Sequence, residues 1–267
     1  AGRGGEGCVL GRRSDEAYVL RTQAQGAADL IVTLLAEHAG RLRGVAASAK
    51  RSRRRFGGAL DPMTRVRAAW VEREGRDLHR IESLEPARSF SSMQSEPATQ
   101  AACAALAEIA GALASEEEPD PKGFRLLGAV LESLEGGLDP WVAVRYFEYW
   151  TLRLHGLLPD LSSCGACGAE VREPDGIAVD GRGFVLCRGC GGAAGGGGGT
   201  LTREDLEWLR TASVRGPSEM AAHRRAARPG GPVETLLRGA LEAFVERSFR
   251  TYRHLERATR GADRGGA

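Results

Sequence analysis

Thr64-Arg-Val-Arg-Ala-Ala-Trp-Val-Glu-Arg73 decides how the first third of the chain is read. Side chains alternate along an extended strand, so Val66, Ala68 and Trp70 fall on one face, and Arg65, Arg67 and Val71 or their neighbours on the other. One face is apolar and the other largely basic. Working outward, Tyr18 to Thr22, Leu30 to Leu35, Leu42 to Ala46 and Asp77 to Ser83 are further short β-favouring runs. Turn residues separate them at Ala39-Gly40, Gly57-Gly58, Asp61-Pro62 and Glu74-Gly75. Five short strands within residues 1–89 predict a small closed barrel of the OB kind, although an SH3-like barrel has the same signature at this level.

From residue 95 the pattern becomes helical, so the fold class is α+β. Ser95-Glu96-Pro97, Asp120-Pro121 and Asp139-Pro140 each place a capping residue just before a first-turn proline. In the third helix Val144, Phe147, Trp150, Leu154 and Leu157 form an apolar stripe, with Arg145, Glu148 and Arg153 off it. Leu158-Pro159-Asp160 ends that helix. Residues 191–199 are all glycine or alanine and read as a flexible insert without a fold of its own. Thr202 caps a further helix carrying Asp205, Leu206 and Leu209. A last helix is expected from Val233 to Arg260, with Leu236, Leu237, Ala240, Phe244, Val245, Phe249 and Tyr252 as its apolar stripe, and a frayed tail from Gly261. The expected organisation is a barrel over 1–89, a helical domain over 90–160, a ribbon with its glycine-rich insert over 161–200, and the rest of the helical domain over 201–267.

Cys164-Gly-Ala-Cys167 and Cys187-Arg-Gly-Cys190 are two CxxC knuckles separated by 19 residues. Zinc takes four soft ligands in a tetrahedron, and two knuckles brought together by a hairpin supply them. Gly176 to Val179 and Gly183 to Leu186 would form the hairpin, and Gly165, Gly168, Gly189 and Gly191 would let the backbone turn around the ion. A site closed by Cys164, Cys167, Cys187 and Cys190 leaves no position for water, which indicates architecture rather than catalysis. Two redox pairs or a vestigial site are the competing readings. Cys8 and Cys103 stand alone and read as interior residues.

The chain has 267 residues, 42% of them apolar and 27% charged, as in a globular protein of two or three modules. No apolar run approaches the ~20 residues a bilayer span requires. The start has no signal-peptide pattern, and a cytoplasmic, nucleoid-associated location is expected. Only Lys50 and Lys122 are lysine, which reflects coding bias and gives arginine preference no functional weight. The net charge of +2 hides a division into +6 over residues 1–89, −7 over 90–160 and +3 over 161–267. A basic first module facing a polyanion fits that division.

Several chemistries lack their residues. Neither lysine follows a glycine, so there is no phosphate-cradling GK[ST] loop. Gly2, Gly4 and Gly7 spell GxGxxG with no room for a preceding strand. The five histidines never form HExxH, and no GxSxG elbow occurs. His254-Leu-Glu256 spells the HxE of zinc deaminases but follows both knuckles. The chain is therefore not expected to be an enzyme.

Arg41, Arg43, Lys50, Arg51, Arg53, Arg54 and Arg55 place seven cations in fifteen residues with no acid among them. As a barrel strand and the loop after it, this segment could meet successive phosphates of a nucleic acid, joined by Arg65 and Arg67, with Phe56 and Trp70 available for stacking, although residues of these types are more often in the core.

Leu20-Arg-Thr22, Gly26 to Leu35, His38 to Ala46, Arg54 to Leu60, Arg145-Tyr-Phe-Glu148, Gly156 to Leu161 and the knuckles together resemble the RecO family of bacterial recombination mediators, over most of residues 17–255. Arg12 to Glu16 reads as an extra or misplaced segment ahead of the first of these blocks. The resemblance implies an OB-fold, a helical domain and an inserted zinc ribbon. It also implies binding of single- and double-stranded DNA, annealing of complementary strands, and work with RecR and single-strand-binding protein to load RecA. The acidic helical domain would meet the protein partners, with an apolar groove for the tail of single-strand-binding protein. An alternative class is a zinc-ribbon RNA-binding or assembly protein of the transcription or translation apparatus, which would prefer structured RNA and would not accelerate annealing.

Overall fold

A computed structural model of the chain describes residues 9–51, 56–73, 78–171, 177–193 and 199–265. Strands β1 (Val9–Gln25), β2 (Asp29–Ala36), β3 (Gly40–Ala46), β4 (Arg65–Arg73) and β5 (His79–Arg88) close into a barrel in the order β1-β2-β3-β5-β4. The parallel pairing of β3 with β5 completes the five-stranded OB arrangement. The alternation expected in β4 is present, since Val66, Ala68 and Trp70 are at most 1% exposed and pack with Val19, Leu34, Ile81 and Leu84. Phe56 lies in the same core. Neither Phe56 nor Trp70 therefore offers a ring face to a base: both are core residues, the second of the two readings, and burial excludes stacking by them.

Closure depends on β1, which is much longer than the expected Tyr18 to Thr22. Its first half pairs with β4, from Val9↔Arg73 to Tyr18↔Arg65, and its second with β2, from Ala17↔Ala36 to Gln25↔Asp29. A register shift between Val19 and Arg21 breaks the regular ladder where a strand serving both neighbours has to bend. Arg12 to Glu16 is thus no extra segment but part of the strand that closes the barrel. Alternation did not reveal it because this stretch is held by the backbone ladder and by cross-strand ion pairs, Arg12–Glu82 at 2.8 Å and Arg13–Glu72 at 2.9 Å, rather than by apolar burial.

The chain divides into two compact units, 1–95 with 110–125, and 96–109 with 126–267. Helices α1 (Pro97–Leu113) and α2 (Pro121–Glu135) both cross that division. In the first unit the returning segment lies along β3. The Arg41 amide donates to Ser115 O at 3.0 Å, the Glu117 amide donates to Arg41 O at 3.1 Å, and the Tyr18 and Phe124 rings lie 4.8 Å apart. Gly40 permits this approach, because its φ of +66° suits glycine and a Cβ there would collide with the Glu118 backbone.

In the second unit α3 (Pro140–Leu154) begins at the Asp139 cap, which accepts from the Trp141 and Val142 amides. Val144 and Phe147 are buried as the stripe requires, but so are Arg145 and Glu148, which the same stripe placed outside. Their burial is possible because their opposite charges offset each other. Arg145 Nη1 donates to both Glu148 oxygens at 2.5 and 2.6 Å, and Nη2 lies 3.2 Å from Glu234. Glu234 is on α6 (Pro232–Val245), which follows α5 (Arg203–Val214) with its Thr202 cap, and the Tyr252 hydroxyl on α7 (Tyr252–Gly265) donates to Glu148. Burial pushes the Glu148 carboxyl and the Tyr252 hydroxyl up. For Glu234, Arg145, Arg238 and the Gly230 amide together outweigh burial, and its carboxyl is shifted down.

The single last helix expected over Val233 to Arg260 is instead this pair, α6 and α7. Glu246 adopts a left-handed φ of 54° and ends α6. Glu108 then accepts from the Arg250 amide at 3.3 Å and from the Thr251 amide and hydroxyl at 3.0 and 2.7 Å. The break leaves Phe249 and Tyr252 buried and Phe244 exposed, and α7 runs on to Gly265, past the expected fray point.

Replacing Arg145 with Met strands two carboxyl groups and is expected to cost about 3–5 kcal/mol in urea unfolding. Adding Glu148→Leu and Glu234→Gln should recover most of that loss. An Arg145→Met protein within about 1 kcal/mol of wild type would contradict the structural role given to the network.

Candidate metal centre and nucleic-acid interface

The expected hairpin is present as β6 (Ile177–Val179) and β7 (Val185–Leu186), and a third strand, β8 (Thr200–Leu201), pairs on the other side of β6. Asp180 shapes the hairpin turn, its Oδ1 accepting from the Arg182 and Phe184 amides at 2.9 Å. Gly183 in that turn has a φ of +79° and lies so close to Gly239 of α6 that a Cβ on either would enter the other's backbone. The hairpin is thus seated directly on α6. The glycine-rich run is not wholly without structure: Gly191 to Ala193 finish a short helix, α4 (Arg188–Ala193), and Gly199 lies against Pro232, while residues 194–198 lie outside the described residues.

At the first knuckle the Cys164 amide donates to Ala169 O and the Gly168 amide to Cys164 O, both at 2.8 Å, with Gly168 at a φ of +71°. The Gly165 amide donates to Val185 O, which ties this knuckle to β7 just before Cys187. The Sγ atoms of Cys164, Cys167, Cys187 and Cys190 consequently all lie within 4.8 Å of one another, and no disulfide joins them. Cys167 and Cys187 are 3.7 Å apart at sulfur. Four thiolates at ~2.3 Å from a tetrahedral ion would be separated by about 3.8 Å, so these four residues could hold a metal. The Cys187 amide lowers the Cys164 thiol to about 6, whereas the Cys167, Cys187 and Cys164 sulfurs push Cys190 up to about 12. Cys103 is buried on α1, which pushes its thiol up to about 12 and leaves it unreactive at neutral pH.

The second unit also contains a cavity of about 410 Å³, with Tyr149, Leu158, Leu161, Ile177, Leu206 and Leu236 among its lining residues.

The cations singled out in the sequence fall into separate environments. Arg41 is committed to the returning segment, donating to Gly111 O at 2.8 Å and to Glu116 at 3.0 Å. On β4, Arg65 lies 3.1 Å from Glu16 and 5.5 Å over the Phe124 ring, and Arg67 lies 3.7 Å from the other Glu16 oxygen. Arg43, Lys50 and Arg51 have no ion pair among the described residues. Arg53, Arg54 and Arg55 lie outside the described residues.

Arg43 faces outward from β3 opposite Thr33 of β2, which is itself opposite Arg21 of β1. Two strand spacings, about 9.5 Å, separate Arg21 from Arg43. On β5, Arg80 is exposed beside Val45. The loop after β3 folds onto the β1–β2 turn: the Ser48 amide donates to Asp29 at 2.8 Å, the Lys50 amide to Ala28 O at 3.1 Å, and Lys50 Nζ to Gly26 O at 2.9 Å. These bonds bring Lys50 and Arg51 to the end of the face that carries Arg21, Arg43 and Arg80. Arg21 and Arg80 were not singled out in the sequence. Alternation around buried His79 and Ile81 marks Arg80 as outward, whereas Arg21 follows the bulge, where four consecutive residues, Ala17 to Leu20, are buried and alternation is lost.

Comparison with known proteins agrees with this architecture. Residues 12–90 match the family model "Recombination protein O N terminal", and residues 94–227 match "Recombination protein O C terminal". The chain belongs to the RecO family. Its RecO relatives include a protein of Geobacter sulfurreducens, 32% identical over 91% of this chain and 97% of that one. Another, from an Anaeromyxobacter species, is 35% identical over 85% and 88%. A third, from Koribacter versatilis, is 42% identical over 60% of this chain and 66% of its own. All three carry the name DNA repair protein RecO. The RecO N-terminal match begins at Arg12, which agrees with the place of that residue in β1.

The two neighbouring arginines of β3 should behave differently. Arg41→Ala removes bonds to Gly111 and Glu116 and should lower stability by about 1–3 kcal/mol, while Arg43→Ala should stay within about 0.5 kcal/mol of wild type in urea unfolding. Equal losses would mean that Arg41 is not the tie described.

Proposed function

We propose that this protein is a DNA-binding and strand-annealing recombination mediator in DNA repair. It would work with RecR and single-strand-binding protein to load RecA, in the cytoplasm at the nucleoid. The observation that carries this reading is the cluster of cations on the barrel, Arg21, Arg43, Lys50, Arg51 and Arg80, in a chain of the RecO family. The strand β2–β3 face is the one on which OB-folds take oligonucleotides, and cations without acidic partners can neutralise phosphates at no cost in broken ion pairs. No step requires a catalytic residue or a nucleotide: cations hold two strands near each other and base pairing completes the reaction. The apolar cavity of the second unit is, in this reading, the place for the tail of single-strand-binding protein. Unchanged binding after deletion of that tail would remove this part of it.

Annealing of complementary labelled oligonucleotides precoated with single-strand-binding protein, without ATP, tests the reading directly. Acceleration that weakens as salt rises is expected, and Arg43→Gln/Lys50→Gln/Arg51→Gln should reduce it by an order of magnitude or more, about what three phosphate contacts provide. Absence of acceleration at every salt concentration, with folded protein, would favour the RNA-binding or assembly role.

We further propose that the four cysteines hold one structural zinc ion, which supplies a closed tetrahedral cross-link between the knuckles. Metal analysis should give one zinc per chain. Cys164→Ser/Cys187→Ser should abolish it and lower the melting temperature, and normal metal content or unchanged melting in that variant would reject the site.

A further inference from the structure

Outside the barrel, the segment from Arg247 to Arg260 holds five arginines and one histidine against a single acid, Glu256. Arg253, Arg257 and Arg260 recur every three or four residues within α7, the period of one helical face, and Arg247 and Arg250 lie in the segment that leads into it. On α7, Tyr252 and Leu255 point inward and are fully buried, and the Trp141 indole donates to Thr259 at 3.2 Å. Arg253, His254 and Arg257 are on the exposed side, preceded by exposed Arg250. Arg247 is paired with Glu108 and Arg260 with Glu256, but Arg250, Arg253, His254 and Arg257 have no ion pair among the described residues.

We infer that this face of α7 is a second phosphate-binding surface, which takes the sugar–phosphate backbone of a nucleic-acid strand independently of the barrel. The inference rests on the reading that the chain handles DNA, and it adds a second point of attachment. Four residues of helix advance about 6 Å, so Arg253 and Arg257 can each meet a different phosphate along a strand. A membrane surface fits less well. An interfacial helix inserts an apolar side, and the apolar side of α7 is already occupied by packing within the unit. An acidic protein surface also fits less well, because interfaces of that kind are organised around a buried apolar centre and the exposed side of α7 is cationic. A chain with two separate cationic surfaces can hold two strands at once, which raises the effective concentration of one strand for the other.

The test compares the wild-type full-length protein with Arg250→Gln/Arg253→Gln/Arg257→Gln and with the barrel variant Arg43→Gln/Lys50→Gln/Arg51→Gln. The readouts are binding of a labelled single-stranded oligonucleotide across a salt series and the rate of annealing. The exchanged side chains, Arg250 just before α7 and Arg253 and Arg257 on it, are exposed, so the melting temperature should not move. The single Arg257→Glu exchange serves as a second probe of the same face. We expect the α7 variant to bind on the order of tenfold more weakly at ~0.1 M salt, to lose about 2 from the slope of log affinity against log salt, and to anneal more slowly. Wild-type affinity, slope and annealing rate in both α7 variants would overturn the inference while leaving the barrel reading intact. A wild-type protein that neither binds nor anneals DNA would overturn both, and loss confined to the α7 variant would retain this surface and reject the barrel as the principal one.

Discussion

Arg145 has no contact with water, and its charge is tolerable there only because Glu148 from the same helix and Glu234 from α6 reach it at hydrogen-bonding or ion-pair distance. Taking these groups out of water costs more than most single packing defects, and the cost is offset only while every member stays in place. That requirement fixes α6 and α7 against α3, since Glu234 lies on α6 and Tyr252 on α7. Much else follows from those two helices. The hairpin beside the four cysteines is seated on α6 through Gly183 and Gly239, and the cationic side of α7 faces outward because Tyr252 and Leu255 are held inward. The block Arg145-Tyr-Phe-Glu148, part of the resemblance to the RecO family, is thus the centre of the second unit's architecture.

The first unit distributes its charge by a different rule. Its cations outnumber its acids, yet many of them are not free. Glu16 occupies Arg65 and Arg67, and the returning segment brings Glu116 to Arg41 and Glu117 to His79 at 3.1 Å. The acidity of residues 90–160 is therefore partly internal, supplying partners to the barrel's side chains. Among the described residues of the barrel, the cations without an ion pair, Arg21, Arg43, Lys50, Arg51 and Arg80, lie on β1, β3, β5 and the loop after β3. A protein that binds a polyanion needs such a division, because a cation already paired must give up its carboxylate before it can accept a phosphate.

How much of this was legible in the sequence depended on what holds each element. The β4 alternation and the CxxC spacing could be read because a half-buried strand and a tight cysteine knuckle each have a short, strict period. The first half of β1 could not, since ladder hydrogen bonds and the Arg12 and Arg13 ion pairs leave no apolar period. Arg145 and Glu148 were misplaced for a related reason: a helical stripe assigns charges to the surface, and only the folded chain shows that their partners are within reach. The break between α6 and α7 depends on Glu108, more than a hundred residues away, accepting from Thr251. No local pattern carries that information. β8 was hidden in the same way, because it follows a run of glycine and alanine that has no strand signal of its own.

Annealing is opposed chiefly by repulsion between two phosphate backbones, which is long-ranged and screened by salt. A scaffold that lowers this barrier needs cations at fixed positions and very little else, and in the proposed role each unit would supply them. In the barrel, hydrogen bonds from Ser48 and Lys50 to Asp29, Ala28 and Gly26 hold the loop that carries Lys50 and Arg51. In the second unit, the Glu108 cap and the Tyr252–Glu148 bond fix where α7 starts and how it is rotated, and hence where Arg253 and Arg257 point. A metal in the four-cysteine site would have a complementary task. With all four positions filled by sulfur it can bind no substrate, so its effect on DNA would pass through the hairpin and α6 to the placing of these charges rather than through chemistry at the ion.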